Sequence, residues 1–266
     1  MNVADRTAMV VGGGGGIGTA VSARLAAEGA QIIIVGRSVE RGERALVRLR
    51  SEVPAGRFLF RRADINQIDS CRDLFSWVNG AVGGLDALVN CASPETSESG
   101  EANRAEGSIA GPFAGIDPAA VGTFLQASLG SLFLLCHSAL TSLRAAKSAS
   151  LVLFASDSGR VAAPNQTMIG ATRAAIMMFT RSLALELARE GIRVNCVSPS
   201  FVAHTPVYDR VMQGPGASRA QSAAARAGLG LAVPEDIAAL VAFLCGAGSA
   251  RLTGQIISVN GGLTAA

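Results

Sequence analysis

Little in this chain speaks for nucleic acid, metal or membrane. Its 266 residues include one tryptophan, one tyrosine and two histidines. With so few tryptophan and tyrosine side chains, the sequence makes no case for the stacking platforms of nucleic-acid binders. The five cysteines are scattered, odd in number and set mostly in apolar segments, with no C-x-x-C spacing. They read as buried thiols, and neither zinc nor redox work is expected of them. No metal site is expected, and His137, lying beside an apolar stripe, reads as structural. Charged residues make up only 16% of the chain, and the net charge is +3. The densest basic stretch, Arg37 to Glu52, alternates with glutamates as the solvated face of a helix would. The opening MNVADRTAMVV carries too short an apolar run for a signal peptide, and no segment reaches 18 consecutive apolar residues. A cytoplasmic protein with no membrane partner is expected.

Glycine and aliphatic residues are plentiful. Thr7 to Gly18, TAMVVGGGGGIG, passes from an apolar run into glycines and then into helical periodicity through Ile17, Val21 and Leu25. Ala8 to Val11 reads as a strand buried on both faces, and the segment from about Gly16 to Glu28 as a helix. A strand, a glycine turn and a helix N-terminus form an anion site. Outward N–H groups, the helix dipole and missing Cβ atoms together admit a pyrophosphate. Gly12, Gly16 and Gly18 give the spacing G-x-x-x-G-x-G.

Strand and helix patterns then alternate. Strands are expected at 31–35, 57–63, 85–89, 150–155, 192–197 and 255–259. Helices are expected from Ser38 as N-cap, at 67–79, along Val121 to Leu143, within 164–189 and at 234–245, where Pro opens and Gly follows. The pattern predicts one α/β domain over 1–266, a doubly wound Rossmann fold with a parallel sheet and helices on both faces. Two stretches interrupt it. Residues 94–116 are acidic and rich in Gly and Ser, which predicts a mobile insertion, and about 199–228 read as a lid facing the substrate. Arg37, just past the second strand, sits where an adenosine ribose would lie. An arginine there suits the 2′-phosphate of NADP, whereas an acid would suit NAD, the alternative cofactor.

These motifs resemble the short-chain dehydrogenase/reductase family along nearly the whole chain. The glycine turn is similar to T-G-x-x-x-G-x-G with Val11 in place of Thr, NCAS at Asn90 is similar to N-N-A-G, and PEDIAALVAFLCG with ARLTGQIISVNGG resembles the family's ending. The resemblance implies a seven-stranded parallel sheet, a nicotinamide nucleotide, a small-molecule substrate and a homodimer or homotetramer built on the two long helices. It assigns cofactor contacts to Gly12, Gly16, Ile17, Gly18, Arg37, Asp64, Ile65, Asn90, Ala92, Arg173, Pro199, Val202 and Thr205.

The family's four catalytic positions map onto Ser128, Ser156, Ile169 and Arg173 in place of Asn, Ser, Tyr and Lys. Only Ser156 keeps its type. Ile169 has nothing to ionise, and Arg173 stays protonated. Ser156 and Arg173 are thus the leading catalytic candidates, with Ser128, Tyr208, Asp157 and His204 behind them. The expected activity is NADP-dependent oxidoreduction of a carbonyl or alcohol at an atypical site. A non-redox relative (lyase, isomerase or cyclase) or an inactive nucleotide-binding subunit is the alternative.

Overall fold

The computed structural model describes residues 3–92, 109, 111–214 and 216–265. Seven strands make one sheet in the order β3-β2-β1-β4-β5-β6-β7, with every pairing parallel. They are β1 (Thr7–Val11), β2 (Gln31–Gly36), β3 (Arg57–Arg62), β4 (Ala87–Asn90), β5 (Ala149–Phe154), β6 (Ile192–Pro199) and β7 (Ile256–Val259). All seven expected strands are present. The sixth runs two residues beyond its expected end because Ser198 and Pro199 pair with Ser258 and Val259.

Alternate side chains of each strand serve opposite faces. Met9, Val11, Ile33 and Val35 pack beneath α3 (Ile68–Ala81), α5 (Ser131–Arg144) and α6 (Thr167–Leu187). Ala8, Val10, Ile32 and Ile34 pack beneath α1 (Gly16–Ala27), α2 (Val39–Glu52) and α9 (Pro234–Cys245). A sheet covered on both faces explains the unbroken aliphatic runs. Ser38 caps α2 as its residue type predicts, its hydroxyl accepting from the Arg41 N–H at 3.2 Å.

The helix expected along Val121 to Leu143 is interrupted. It begins as α4 (Pro118–Leu125), widens into a π-helical turn at Gln126–Gly130, and continues as α5. Side-chain periodicity cannot reveal one added residue in a turn, and such turns gather at functional sites. From Pro118 to Arg144 the helix is long and apolar enough to cross a membrane by length and composition. Here that apolar surface has another use: Leu132, Leu135, Cys136, Ala139 and Leu143 pack on the sheet.

The expected insertion lies largely outside the described residues. At its end, Ile109 and Ile116 are buried with Phe124 in a small apolar cluster that Met168 and Ile169 join. Two short helices, α7 (Pro206–Met212) and α8 (Ala217–Arg226), stand between β6 and α9, within the expected lid.

Candidate functional site

The carboxyl ends of β1, β2, β4, β5 and β6 converge on one cavity of about 800 Å³. The strand order reverses between β1 and β4, and a crevice at such a switch point is the usual ligand site of an open α/β sheet.

At its floor the chain turns from β1 into α1. Gly12 holds φ at +76°, and a Cβ there would come within 2.9 Å of the Ala92 nitrogen. A Cβ on Gly18 would meet the Gly12 carbonyl oxygen. No side chain could replace hydrogen at either position without moving backbone. The N-cap of α1 is Gly15, which has no side chain to bond the first-turn amides, and Gly16, Ile17 and Gly18 all line the cavity. Uncapped amides at the positive end of a helix dipole are the donor set a pyrophosphate requires, so the cradle fits a dinucleotide.

Beyond the turn, Arg37 lies exposed past β2, with Ser38 and Arg41 beside it on the cavity wall. Arg62 donates from Nε to the Arg37 carbonyl at 3.2 Å, which brings another guanidinium to this end. Ile65, Asn90 and Ala92 also line the wall, and the Asn90 carboxamide oxygen accepts from the Ala92 N–H at 3.2 Å. Asp64 does not. Its carboxylate is turned to local use, accepting from the Asn66 backbone at 3.0 Å and the Asn66 side chain at 2.9 Å. Asn66 reaches the wall in its place.

The other end of the cavity holds the catalytic candidates. Ser156 follows β5, and its hydroxyl lies 2.7 Å from that of Ser158, a residue the family pattern did not single out. Ser128 sits in the π-helical turn, 5% exposed, and its hydroxyl has no hydrogen-bond partner among the described residues. The hydroxyl oxygen itself is sealed from solvent although the residue borders the cavity. Ile169 and Arg173 share one face of α6, four residues apart, and both reach the cavity. Ile169 also packs against Ile109, Ile116 and Phe124, so its apolar character serves that cluster.

Two secondary candidates have surroundings of a different kind. Asp157 is only 6% exposed, and its carboxylate accepts from Asn260 Nδ2 at 2.6 Å, Thr264 Oγ1 at 3.2 Å, Ser258 Oγ at 3.3 Å and Ser198 Oγ at 3.4 Å. It ties the end of β5 to β6, β7 and the turn at 260–264. His204 is exposed, with φ at +58°, and does not line the cavity.

Pro199, Val202 and Thr205 do border it. Thr205 donates to the Val202 carbonyl at 2.8 Å and caps α7 by accepting from the Tyr208 N–H at 3.2 Å. Tyr208 is half-buried on the cavity wall, and Arg210, Arg219 and Arg226 follow it from α7 and α8. Sequence reading missed these arginines. Arg219 and Arg226 stand seven apart, which was a signal that both occupy one face of a helix. Among the described residues, no group of three His, Cys, Asp or Glu side chains could hold a metal ion.

A family model described as enoyl-(acyl carrier protein) reductase matches residues 12–264. The chain belongs to the short-chain dehydrogenase/reductase family. It is 33% identical over 264 residues to a cis-4-hydroxycyclohexanecarboxylate dehydrogenase of Sinomonas cyclohexanicum, covering 98% of both chains. Among solved structures it resembles a levodione reductase, with a TM-score of 0.86, 25% identity and 97% of each chain covered. It also resembles an actinorhodin polyketide ketoreductase crystallised with NADPH, with a TM-score of 0.84, 26% identity and 97% of each chain covered. As a member of this family the chain is of the oxidoreductase class that binds nicotinamide nucleotides and acts on small molecules.

Proposed function

We propose that this short-chain dehydrogenase/reductase binds NADP(H) and interconverts a carbonyl with an alcohol, without a tyrosine at the usual acid-base position. The observation that carries the reading is that the hydrogen-bonded pair Ser156 and Ser158 lines the same cavity as the glycine cradle. The nucleotide, when bound, supplies or accepts the hydride. The chain does the rest. Gly16, Ile17 and Gly18 amides hold the pyrophosphate, and Arg37 with Arg41 favours a 2′-phosphate over a free hydroxyl. Ser156 donates a hydrogen bond to the substrate oxygen, and Ser158, 2.7 Å away, holds that hydroxyl in place. Arg173, 7% exposed on the same wall, stabilises negative charge developing on the oxygen. Neither serine ionises near neutral pH, so the proton travels from water or from Tyr208 through the serine pair.

Ile169 and Arg173 favour a second reading, a nucleotide-binding protein that has left redox chemistry. NADPH oxidation over a broad carbonyl panel separates the two, since only the first reading expects turnover. We also propose a cytoplasmic homodimer or homotetramer. Leu125, Phe133, Met178 and Leu185, exposed on the long helices, supply an apolar face for it.

A further inference from the structure

The ionised side chains of the cavity wall are unbalanced. Arg173, Arg210, Arg219 and Arg226 line its substrate end, and among the described residues the single wall carboxylate is Asp157. That carboxylate is already satisfied by four donors. Arg219 and Arg226 form no ion pair with any described acid. They flank Ala223, itself buried and on the wall, so α8 presents both from one face. Arg219 lies 5.6 Å over the Phe201 ring, and both it and Arg226 reach solvent at the mouth of the cavity. A guanidinium steadied on an aromatic ring without a carboxylate partner leaves its donor fork for a ligand. Beside the serines this end also has an apolar wall, formed by Val161, Ile169, Val207, Val211 and Leu263.

Resting on the oxidoreductase reading above, the geometry points to a substrate that carries a carboxylate, held by Arg219 and Arg226, on a short apolar body bearing the alcohol or carbonyl. The lid is then a specificity device. Its arginines anchor the far end of the substrate and leave the oxygen to Ser156.

The test is calorimetry on the full chain saturated with NADP+. The probes are 4-hydroxycyclohexanecarboxylate, 3-hydroxybenzoate and 3-hydroxyoctanoate, each titrated beside its neutral methyl ester. At least one acid should bind about tenfold or more tighter than its ester. Raising ionic strength from about 0.05 to 0.5 M should weaken the acid alone. In an Arg219→Met/Arg226→Met variant the gap should close while NADPH affinity stays within about threefold. The Arg219→Lys/Arg226→Lys variant, which keeps charge and loses the fork, should fall between. Equal affinities, no binding by any acid, a gap that survives the Met variant, or an equal loss of NADPH affinity would each overturn the inference. The last outcome would assign these arginines to the nucleotide. Should the wild type bind no nucleotide, the oxidoreductase reading fails, and the same pairs titrated into the nucleotide-free chain still decide the carboxylate site.

Discussion

Replacing Asp157 by alanine should unfold the protein early. The carboxylate is buried and gathers Asn260, Thr264, Ser258 and Ser198, so it joins three strands at their carboxyl ends. A hydrogen bond to a charged group contributes roughly 1.5 to 3 kcal/mol, and the 2.6 Å bond from Asn260 belongs at the upper end. The three longer bonds, at 3.2 to 3.4 Å, contribute about 0.5 kcal/mol each at most. The loss should total about 3 to 4 kcal/mol, Asn260 Nδ2 keeping only its bonds to Thr264. For a chain of this length, about 2 to 4 °C per kcal/mol translates that into a Tm lower by roughly 6 to 16 °C. Asp157→Asn keeps one acceptor oxygen and should lose about half as much. Calorimetric unfolding reads both variants, and NADPH titration below the transition should show the wild-type affinity. A Tm within about 2 °C of wild type in Asp157→Ala would refute the structural assignment. A folded Asp157→Asn protein with no turnover would return this carboxylate to the chemistry.

Gly18→Ala should abolish NADPH binding while leaving a folded chain, because its Cβ would collide with the Gly12 carbonyl in the cradle; unchanged affinity by calorimetry would contradict this. Arg37→Ala should bring the NADPH and NADH dissociation constants together, and a preference retained in full would show that Arg37 does not recognise the 2′-phosphate. Ile169→Tyr with Arg173→Lys should raise carbonyl reduction, by up to roughly 10² to 10⁴ if the new phenol takes up the general acid's geometry. The gain is limited because Ile169 also packs with Ile109, Ile116 and Phe124, and a wild-type rate already typical of the family would remove the reason for any gain. Burial raises the Cys71 thiol to about 11 and those of Cys136, Cys196 and Cys245 to about 12, from an ordinary 9.0. An acid whose pKa rises on folding keeps its proton longer in the native state, so these thiols leave stability intact below pH 9 and erode it from pH 9 towards 11 to 12. Denaturant midpoints across that range should fall, and a flat profile would mean that the thiols are not buried in solution.

The fold could be read from the chain because the strands are short, most of them aliphatic, with turn residues and helix caps between them that act locally. Ser38, Pro234 and Gly246 each stand where their residue type predicts. The cradle was legible for the same reason: Gly18 is demanded by Gly12 and Gly13 just before it, and Gly12 by its own positive φ. What the chain order hides is mostly long-range. The four donors to Asp157 come from residues 198 to 264, which no spacing rule connects to it. The bonds from Asn66 to the Asp64 carboxylate are local, but residue type alone does not announce them. The π-helical turn under Ser128 leaves no mark in the apolar stripe, and the lid arginines acquire meaning only when α8 is folded over the cavity.

The most direct test of the proposed reaction uses 4-deuterated NADPH with a panel of ketones and aldehydes, followed by mass spectrometry of the products. The wild-type chain should deliver deuterium to the carbinol carbon of at least one product. Ser156→Ala should cut that transfer by about 10² to 10³ while NADPH affinity stays within about threefold. Tight NADPH binding with no deuterium in any product, or transfer undiminished in a folded Ser156→Ala variant, would contradict it.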